Sequence, residues 1–226
     1  MNKRILIFLA TFALGEAREA TVGPQKVILP TPLAMRDFTD EDIPSVRVLK
    51  GLVGVKNRVI AVFVRPEFPA VLYPYVQICK NVDFELRDWN ESKFAEFIDY
   101  VKVQTSTKGN EEKFDLLVSA WKAGADAVVK KELGTKVIID IGRPVFLSQS
   151  EQGKRHLTLP FLMRLSFGDH DAMTDSLVVG TMTFMILRGK LVYVYYYDRF
   201  EGMASRAAVA SETRAYLTVL LTQNGS

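Results

Sequence analysis

Apolar and polar residues in the first third of the chain follow the period of β-strands. The run from Val59 to Val64 is apolar and rich in β-branched residues, and the stretch from Tyr75 to Lys80 alternates. Both are shorter than a typical helix and predict strands, the run from Val59 to Val64 a central one. The Gly- and Pro-containing segment from Arg18 to Pro32 predicts an extended lead-in.

The middle of the chain changes to the helical period. Thr39-x-x-Asp42 predicts the start of a short helix that ends near Gly51. Two longer helices follow, one with an entrance near Asn90 and one with Gly134 as its C-cap. Each has a single apolar stripe and is predicted to cover a sheet. The stripes are Phe94, Phe97, Ile98 and Val101 in the first, and Phe114, Leu117, Val118, Trp121, Ala125, Val128, Val129 and Leu133 in the second.

From Lys136 onward the strand period returns. Short gaps between successive strands indicate antiparallel pairing, because a parallel crossover needs about a dozen residues. Arg188-Gly189-Lys190 predicts a tight hairpin, and Ser166 to Ser176 predicts a loop. The predicted strands are Val137–Ile141, Val145–Leu147, His156–Leu165, Leu177–Leu187 and Leu191–Tyr197. A final helix is predicted after Asp198, with inward positions Val209, Tyr216, Val219 and Leu220.

These elements together predict an α+β fold, in which a mostly antiparallel sheet is covered by helices. Two helices are inserted after the early strands, and one helix closes the C-terminus. The sequence shows neither an internal repeat nor an interdomain linker, so residues 18–226 are predicted to form a single domain.

Three segments resemble uncharacterised secreted bacterial proteins with a PsbP-like α/β/α sandwich. They are the strand Asn57–Phe63, the hairpin Arg188–Tyr195 and the helix end Leu220–Asn224. The resemblance implies a PsbP-like fold that docks to partners. It carries no active-site residue onto this chain, because none of the three segments contains a catalytic signature.

The composition is that of a globular protein. Of 226 residues, 48% are hydrophobic and 24% are charged, with one cysteine. These proportions exclude a disordered chain, a collagen-like repeat and a disulfide-stapled miniprotein. The net charge of +3 is spread over both signs, so nucleic acid is not a predicted partner.

The N-terminus has the pattern of an export signal. Lys3 and Arg4 precede an uncharged apolar run from Ile5 to Gly15. This run is shorter than the about 20 residues that span a membrane and fits a signal peptide. Cleavage is predicted after Ala17, with Ala20 as the alternative site.

Export would place the mature chain in the periplasm or outside the cell, with no transmembrane span after cleavage. Two alternatives to cleavage remain open. The segment from Ile5 to Gly15 forms a buried strand or helix of a cytosolic protein, or it stays attached as a membrane-proximal anchor.

Chemistry-bearing residues are few. Cys79 lies in a predicted strand and is interpreted as a small buried hydrophobe, although pairing between molecules stays open. Asp169, His170 and Asp171 could ligate a divalent metal with help from His156, and the alternative is a solvated loop. The sequence contains no Gly-x-Ser-x-Gly, His-Glu-x-x-His or Walker motif, and we predict no cofactor.

Aromatic residues provide the other candidate site. Tyr193, Tyr195 and Tyr197 share one face of the last strand, opposite the face of Tyr196. This row either stacks on a ligand or partner, or packs under a helix. Trp89 lies at a helix entrance, where it staples that entrance or marks a contact site.

The sequence therefore favours an exported, non-enzymatic binding or scaffolding module of the bacterial envelope. Another envelope or extracellular protein is the predicted partner. The alternative function is a metal-dependent enzyme or metal-binding protein that uses the loop from Asp169 to Asp171.

Overall fold

The structure is a computed structural model that describes residues 17–54, 56–68, 73–105, 111–148, 150–169 and 172–225. The helices are α1 (Pro44–Gly51), α2 (Glu91–Thr105), α3 (Glu111–Leu133) and α4 (Met203–Gln223). The strands are β1 (Ala17–Val22), β2 (Gln25–Pro30), β3 (Arg36–Asp37), β4 (Asn57–Val64), β5 (Tyr75–Asn81), β6 (Ile138–Ile141), β7 (Val145–Phe146), β8 (Glu151–Gln152), β9 (His156–Gly168), β10 (Met173–Leu187) and β11 (Lys190–Arg199).

One antiparallel sheet organises these elements. Its strand order is β3-β4-β5-β11-β10-β9-β6, and β7 and β8 also pair with β9. The predicted hairpin between β10 and β11 is confirmed: Arg188 and Gly189 form its turn with positive φ angles of 47° and 74°. Two consecutive positive φ angles are characteristic of a type I′ turn, whose twist matches that of the flanking strands. Strands β1 and β2 form a separate two-stranded sheet.

Three helices cover one face of the large sheet. We call it the tyrosine face, because Tyr75, Tyr193, Tyr195 and Tyr197 lie on it. Helices α1 and α3 pack around Tyr75 and Tyr197, and α2 packs around Tyr193. The buried helix residues are Val46, Val48, Leu49, Ala125 and Val129 in the first group and Phe94, Ile98 and Val101 in the second.

The opposite face, which we call the α4 face, carries Val192, Val194 and Tyr196. It is covered by α4 and by the β1–β2 hairpin. Apolar residues thus occupy both sides of β11, because covering layers remove both sides from water. The covering residues are Val22, Val27 and Leu29 from the hairpin and Val209, Thr213, Tyr216, Leu217 and Leu220 from α4.

The α+β class predicted from the sequence is confirmed, and so are the start of α2 and the end of α3, but Leu133, assigned to the apolar stripe of α3, is 36% exposed. Helix α2 begins after Asn90, whose side-chain oxygen accepts a hydrogen bond from the Lys93 amide at 2.9 Å. Helix α3 ends at Leu133, and Gly134 follows it with a φ of 101°. A residue in this left-handed conformation ends a helix, and glycine adopts it without steric penalty.

The prediction that Val59–Val64 is a central strand is wrong. Strand β4 lies second from the sheet edge, with only the two residues of β3 beyond it. It is apolar on both sides because Val62 and Val64 pack with the helices of the tyrosine face, whereas Phe63 packs on the α4 face. Covering layers on both faces explain the apolar run as well as a central position would.

Two segments predicted to be irregular form strands. The predicted loop from Ser166 to Ser176 is largely paired, since β9 extends to Gly168 and β10 begins at Met173. The predicted lead-in from Arg18 to Pro32 is extended, but it folds into the β1–β2 hairpin. Both segments mix polar residues with Gly or Pro, so their local pattern resembles a loop, although a strand close in sequence supplies the backbone hydrogen bonds.

Two smaller predictions also need correction. Ile43 precedes α1 without a side-chain cap, and the Thr39 hydroxyl instead accepts a hydrogen bond from the Val62 amide at 2.9 Å. In α4, Leu217 is buried where Val219 was expected, and Val219 is only half-buried. The helix meets two layers, the sheet and the β1–β2 hairpin, and this widens its buried stripe.

Candidate functional site

The predicted tyrosine row exists and extends beyond β11. The rings of Tyr195 and Tyr197 are stacked with centroids 6.1 Å apart, and Tyr197 stacks on Tyr75 of β5 at 4.7 Å. Tyr73, just before β5, adds a fourth ring 5.7 Å from Tyr75. Pairing of β11 with β5 brings Tyr75 opposite Tyr197, so the row is a product of strand register.

The three predicted tyrosines differ in how far they are covered. Tyr193 and Tyr197 are buried, and Tyr193 packs edge-on against Phe184 with centroids 5.1 Å apart. Tyr195, between them, is only half-buried. Packing under the helices therefore explains the burial of Tyr193 and Tyr197. Tyr195 instead borders a space that no described side chain fills.

That space is a cavity of about 330 Å³ between α3 and the tyrosine face. We call it the α3 cavity. Its floor is formed by β9, β10 and β11, and its rim by the segment after α1, the start of β4 and the segment around β7. The lining residues are Leu52, Val53, Gly54, Asn57, Val118, Trp121, Pro144, Phe146, Phe161, Met163, Met182, Tyr195 and Tyr197.

Two hydrogen bonds to the end of α1 fix the wall of the α3 cavity. The Trp121 indole nitrogen donates to the Leu52 carbonyl, which joins α3 to the residue after α1. The side-chain nitrogen of the buried Gln77 donates a hydrogen bond to the Leu49 carbonyl at 2.6 Å. This bond joins the sheet to the last turn of the same helix. The Leu49 carbonyl also accepts a hydrogen bond from the Leu52 backbone amide at 3.1 Å. The end of α1 is therefore held by its own backbone, by the sheet and by α3.

The described residues that line the α3 cavity are uncharged. Among its described lining residues only the two tyrosines are ionisable, and burial raises the pKa of Tyr195 and of Tyr197 above the usual tyrosine value. Neither hydroxyl has a hydrogen-bond partner among the described residues. Asn57 is the other polar residue of the described lining. Its side-chain oxygen accepts a hydrogen bond from the side-chain nitrogen of Asn81 at 3.0 Å. The arrangement suits apolar contact with few polar anchors.

Trp89 staples the entrance of α2, one of the two roles considered for it. Its ring packs edge-on against Phe84 at 5.7 Å and against Phe97 of α2 at 5.4 Å. Its backbone amide donates to the Gly189 carbonyl at 2.9 Å, which ties the entrance to the β10–β11 turn. Trp89 is half-buried and does not line the α3 cavity.

The predicted metal ligands do not form one site. His156 begins β9 and Asp169 follows its end, and a strand of 13 residues spans about 40 Å. The expectation that His156 assists Asp169 is therefore wrong. His170 and Asp171 lie outside the described residues, so the local cluster stays a prediction. Asp169 accepts a hydrogen bond from the Ala172 amide at 2.9 Å. Within the described part of the chain, no group of three or more His, Cys, Asp or Glu could hold a metal ion.

Cys79 is a small buried hydrophobe, as the sequence predicts. It is fully buried on the tyrosine face beside Phe94 and Ile98 of α2, and burial raises the pKa of its thiol. A thiol in such surroundings is inert, because the thiolate is the reactive form. Its burial also prevents a disulfide between two folded molecules.

Sequence reasoning identified Tyr195 and Tyr197 but missed most of the α3 cavity. Val118 and Trp121 were assigned to a packed helical stripe, and both line the cavity. Met163 and Met182 carry the only signal available in the sequence, since methionine often lines adaptable binding surfaces. That signal is weak for residues in strands, where methionine also fills ordinary cores.

No helix in the described part of the chain combines the length and the apolar character needed to cross a membrane. The predicted signal peptide, residues 1–17, lies outside the described residues except for Ala17, which begins β1.

Comparisons with known proteins give a distant structural match. The chain is similar to a point mutant of protein Mog1. The match covers 92% of this chain and 93% of that chain, with 13% sequence identity and a TM-score of 0.33. The chain also matches the Saccharomyces cerevisiae Ran-binding protein Mog1p with 11% identity, 93% coverage of each chain and a TM-score of 0.31. No family model and no curated protein sequence matches.

Proposed function

We propose that this protein is a non-catalytic binding module and that its ligand occupies the α3 cavity. The observation that carries the proposal is the cavity itself, about 330 Å³ of mostly apolar space between α3 and the tyrosine face. A lined space of this size with few polar groups has the character of a ligand site.

The residues around the α3 cavity favour binding over catalysis. Nucleophilic catalysis needs a Ser, Thr, Cys, Lys, Asp, Glu, His or Tyr side chain that is activated by an adjacent base or a lowered pKa, and acid–base catalysis needs a group that titrates near neutral pH. The described lining residues provide neither, because the pKa values of Tyr195 and Tyr197 are raised away from neutrality. Their chemistry supports retention of a molecule without changing it.

The proposal includes export, with residues 1–17 as a cleaved signal peptide and the periplasm or cell exterior as the location. Of the two cleavage sites, Ala17 is compatible with the fold. Arg18 in β1 forms ion pairs with Asp40 at 2.8 Å and with Asp37 at 3.3 Å. Cleavage after Ala17 retains these contacts, and cleavage after Ala20 removes four of the six residues of β1, including Arg18.

The resemblance to PsbP-like sandwiches extends the proposal to a partner. It supports a module that docks to another envelope or extracellular protein while the α3 cavity holds a small ligand. The α3 cavity can be tested without knowledge of either molecule, with an apolar probe of neutral charge.

Filling the α3 cavity is expected to abolish probe binding. Val118 of α3 lines the cavity, so the indole ring introduced by Val118→Trp would occupy the space that a ligand needs. Titration with the neutral fluorescent probe N-phenyl-1-naphthylamine should give saturable binding to the parent protein. Val118→Trp should weaken that binding by about tenfold or more, a loss of about 1.4 kcal/mol.

The matched control is Val103→Trp, the same change at a valine of α2 that is 59% exposed. It should bind the probe like the parent. Thermal unfolding verifies that both variants fold, and a filled cavity should leave the Tm of Val118→Trp equal or higher. Unchanged probe binding by a folded Val118→Trp would rule out the α3 cavity as the site.

A further inference from the structure

The size of the α3 cavity restricts its occupant. An apolar cavity of about 150 Å³ accommodates one benzene ring. The α3 cavity, at about 330 Å³, is roughly twice as large. It therefore suits a molecule of about two fused rings, and it is too small for a folded peptide element.

The absence of charge around the cavity restricts the occupant further. None of its described lining residues is Lys, Arg, His, Asp or Glu. A charged ligand would lose its hydration there without gaining an ion pair, and this loss strongly disfavours binding. The occupant is accordingly uncharged at neutral pH.

The aromatic lining favours a ring over an alkyl chain. Trp121, Phe146, Phe161, Tyr195 and Tyr197 contribute five rings to the wall. Phe161 and Tyr197 meet edge to face with centroids 5.8 Å apart, while Tyr195 and Tyr197 are parallel within 13°. Such a set offers both stacked and edge-on positions to another ring, the two arrangements that aromatic pairs prefer. The thioethers of Met163 and Met182 add favourable contacts to aromatic edges.

Tyr195 provides a polar anchor. It is the least covered of the three β11 tyrosines on this face, and the α3 cavity is what leaves it open. Its hydroxyl makes no hydrogen bond to another described residue and is not among the fully buried polar atoms, so a ligand in the α3 cavity can reach it. A polar group on the ligand would form a hydrogen bond with this hydroxyl. In a typical pocket, a few polar groups of this kind fix the orientation of the ligand.

We propose that the α3 cavity binds an uncharged aromatic molecule of about two fused rings, whose polar group hydrogen-bonds to the Tyr195 hydroxyl. This inference rests on the proposed function of the same cavity and specifies its ligand class. In this arrangement the Tyr195 hydroxyl orients the ligand, and the surrounding aromatic rings provide most of the contact area.

Isothermal titration with four probes tests the ligand class. The probes are 2-naphthol, naphthalene, 2-naphthoate and 1-decanol. We expect 2-naphthol to bind the parent protein about tenfold more tightly than 2-naphthoate, which has the same rings with a charge, and than 1-decanol, which has the hydroxyl on an alkyl chain. Equal affinity for 2-naphthoate or for 1-decanol would overturn the neutral or the aromatic assignment.

Tyr195→Phe tests the anchor, and Tyr193→Phe, on the same face outside the cavity, is its matched control. We expect Tyr195→Phe to weaken 2-naphthol binding about fivefold and to leave naphthalene binding unchanged, because only the hydroxyl contact is lost. Tyr193→Phe should change neither. Equal 2-naphthol affinity for Tyr195→Phe and the parent would refute the anchor. If neither the four probes nor N-phenyl-1-naphthylamine bind the parent, the proposed function itself fails.

Discussion

Lys190 shows what a single residue contributes to this fold. Only 1% of it is exposed, although it directly follows a turn. Its ammonium group contacts the Leu86 and Arg87 carbonyls at 3.4 and 3.2 Å and the Asp88 carboxylate at 2.8 Å. A lysine ammonium has three donors, so these three acceptors satisfy all of them. The segment that leads into α2 is thereby fixed to the start of β11.

Lys190→Met should destabilise the protein by about 2 kcal/mol, because it retains an unbranched side chain but removes the buried charged donor of the Leu86 and Arg87 carbonyls and the Asp88 carboxylate. Urea denaturation followed by circular dichroism measures this change. The control Lys56→Met removes an exposed ion pair with Asp83 and should change the free energy of unfolding by less than about 1 kcal/mol. Equal effects of the two substitutions would show that the Lys190 contacts contribute little.

Individual residues were predicted to the extent that their role depends on their own strand or helix. Alternation put Tyr193, Tyr195 and Tyr197 on one face, and burial of Cys79 followed from its apolar strand. The burial of Lys190 could not be predicted in this way. Its acceptors lie about a hundred positions earlier, so the local sequence suggests an ordinary exposed lysine.

At the scale of elements, the end of α4 is joined to β2 by side chains that take the place of a neighbouring strand. The Asn224 side chain accepts a hydrogen bond from the Ile28 amide at 2.9 Å and donates to the Ile28 carbonyl at 2.8 Å. The Tyr216 hydroxyl donates to the Pro30 carbonyl at 2.8 Å. Helix α4 therefore holds the β1–β2 hairpin by polar contacts as well as by apolar packing.

Asn224→Ala should lower the free energy of unfolding by about 2 kcal/mol, since it removes three side-chain hydrogen bonds, two with the Ile28 backbone and one to the Leu220 carbonyl. Thermal unfolding measures the loss. Hydrogen exchange of the Ile28 amide should accelerate more than exchange in β10. The control is the neighbouring substitution Gln223→Ala, which should have a smaller effect. The Gln223 side-chain oxygen accepts no hydrogen bond from the described residues. An unaltered Ile28 exchange rate would argue against the contact.

Elements with strong periodicity were predicted well. The apolar stripes of α2 and α3 and the Gly134 stop are local properties, and so is the Arg188-Gly189 turn. Prediction failed where polar residues are paired within a hairpin, as between Ser166 and Ser176, where the end of β9 pairs with the start of β10. Polar residues there are stable in strands because the neighbouring strand supplies the backbone hydrogen bonds.

For the whole molecule, the export proposal gives a direct prediction. The protein recovered from the cell envelope or medium should begin at Arg18, and its intact mass should show this. Ala17→Leu, which replaces the small residue at the cleavage site, should block processing and leave a chain that begins at Met1. A parent protein that also begins at Met1 would contradict cleavage, and one that begins at Thr21 would move the site to Ala20.

The sequence by itself determined the α+β class, the antiparallel pairing and the face on which the tyrosines lie, because periodicity and short connections are local properties. The tertiary structure alone decided that β4 is near an edge, that His156 and Asp169 are far apart and that the α3 cavity exists. A cavity is the volume that several packed elements leave unfilled. Its size depends on how α1, α3 and the sheet meet, and no single segment contains that information.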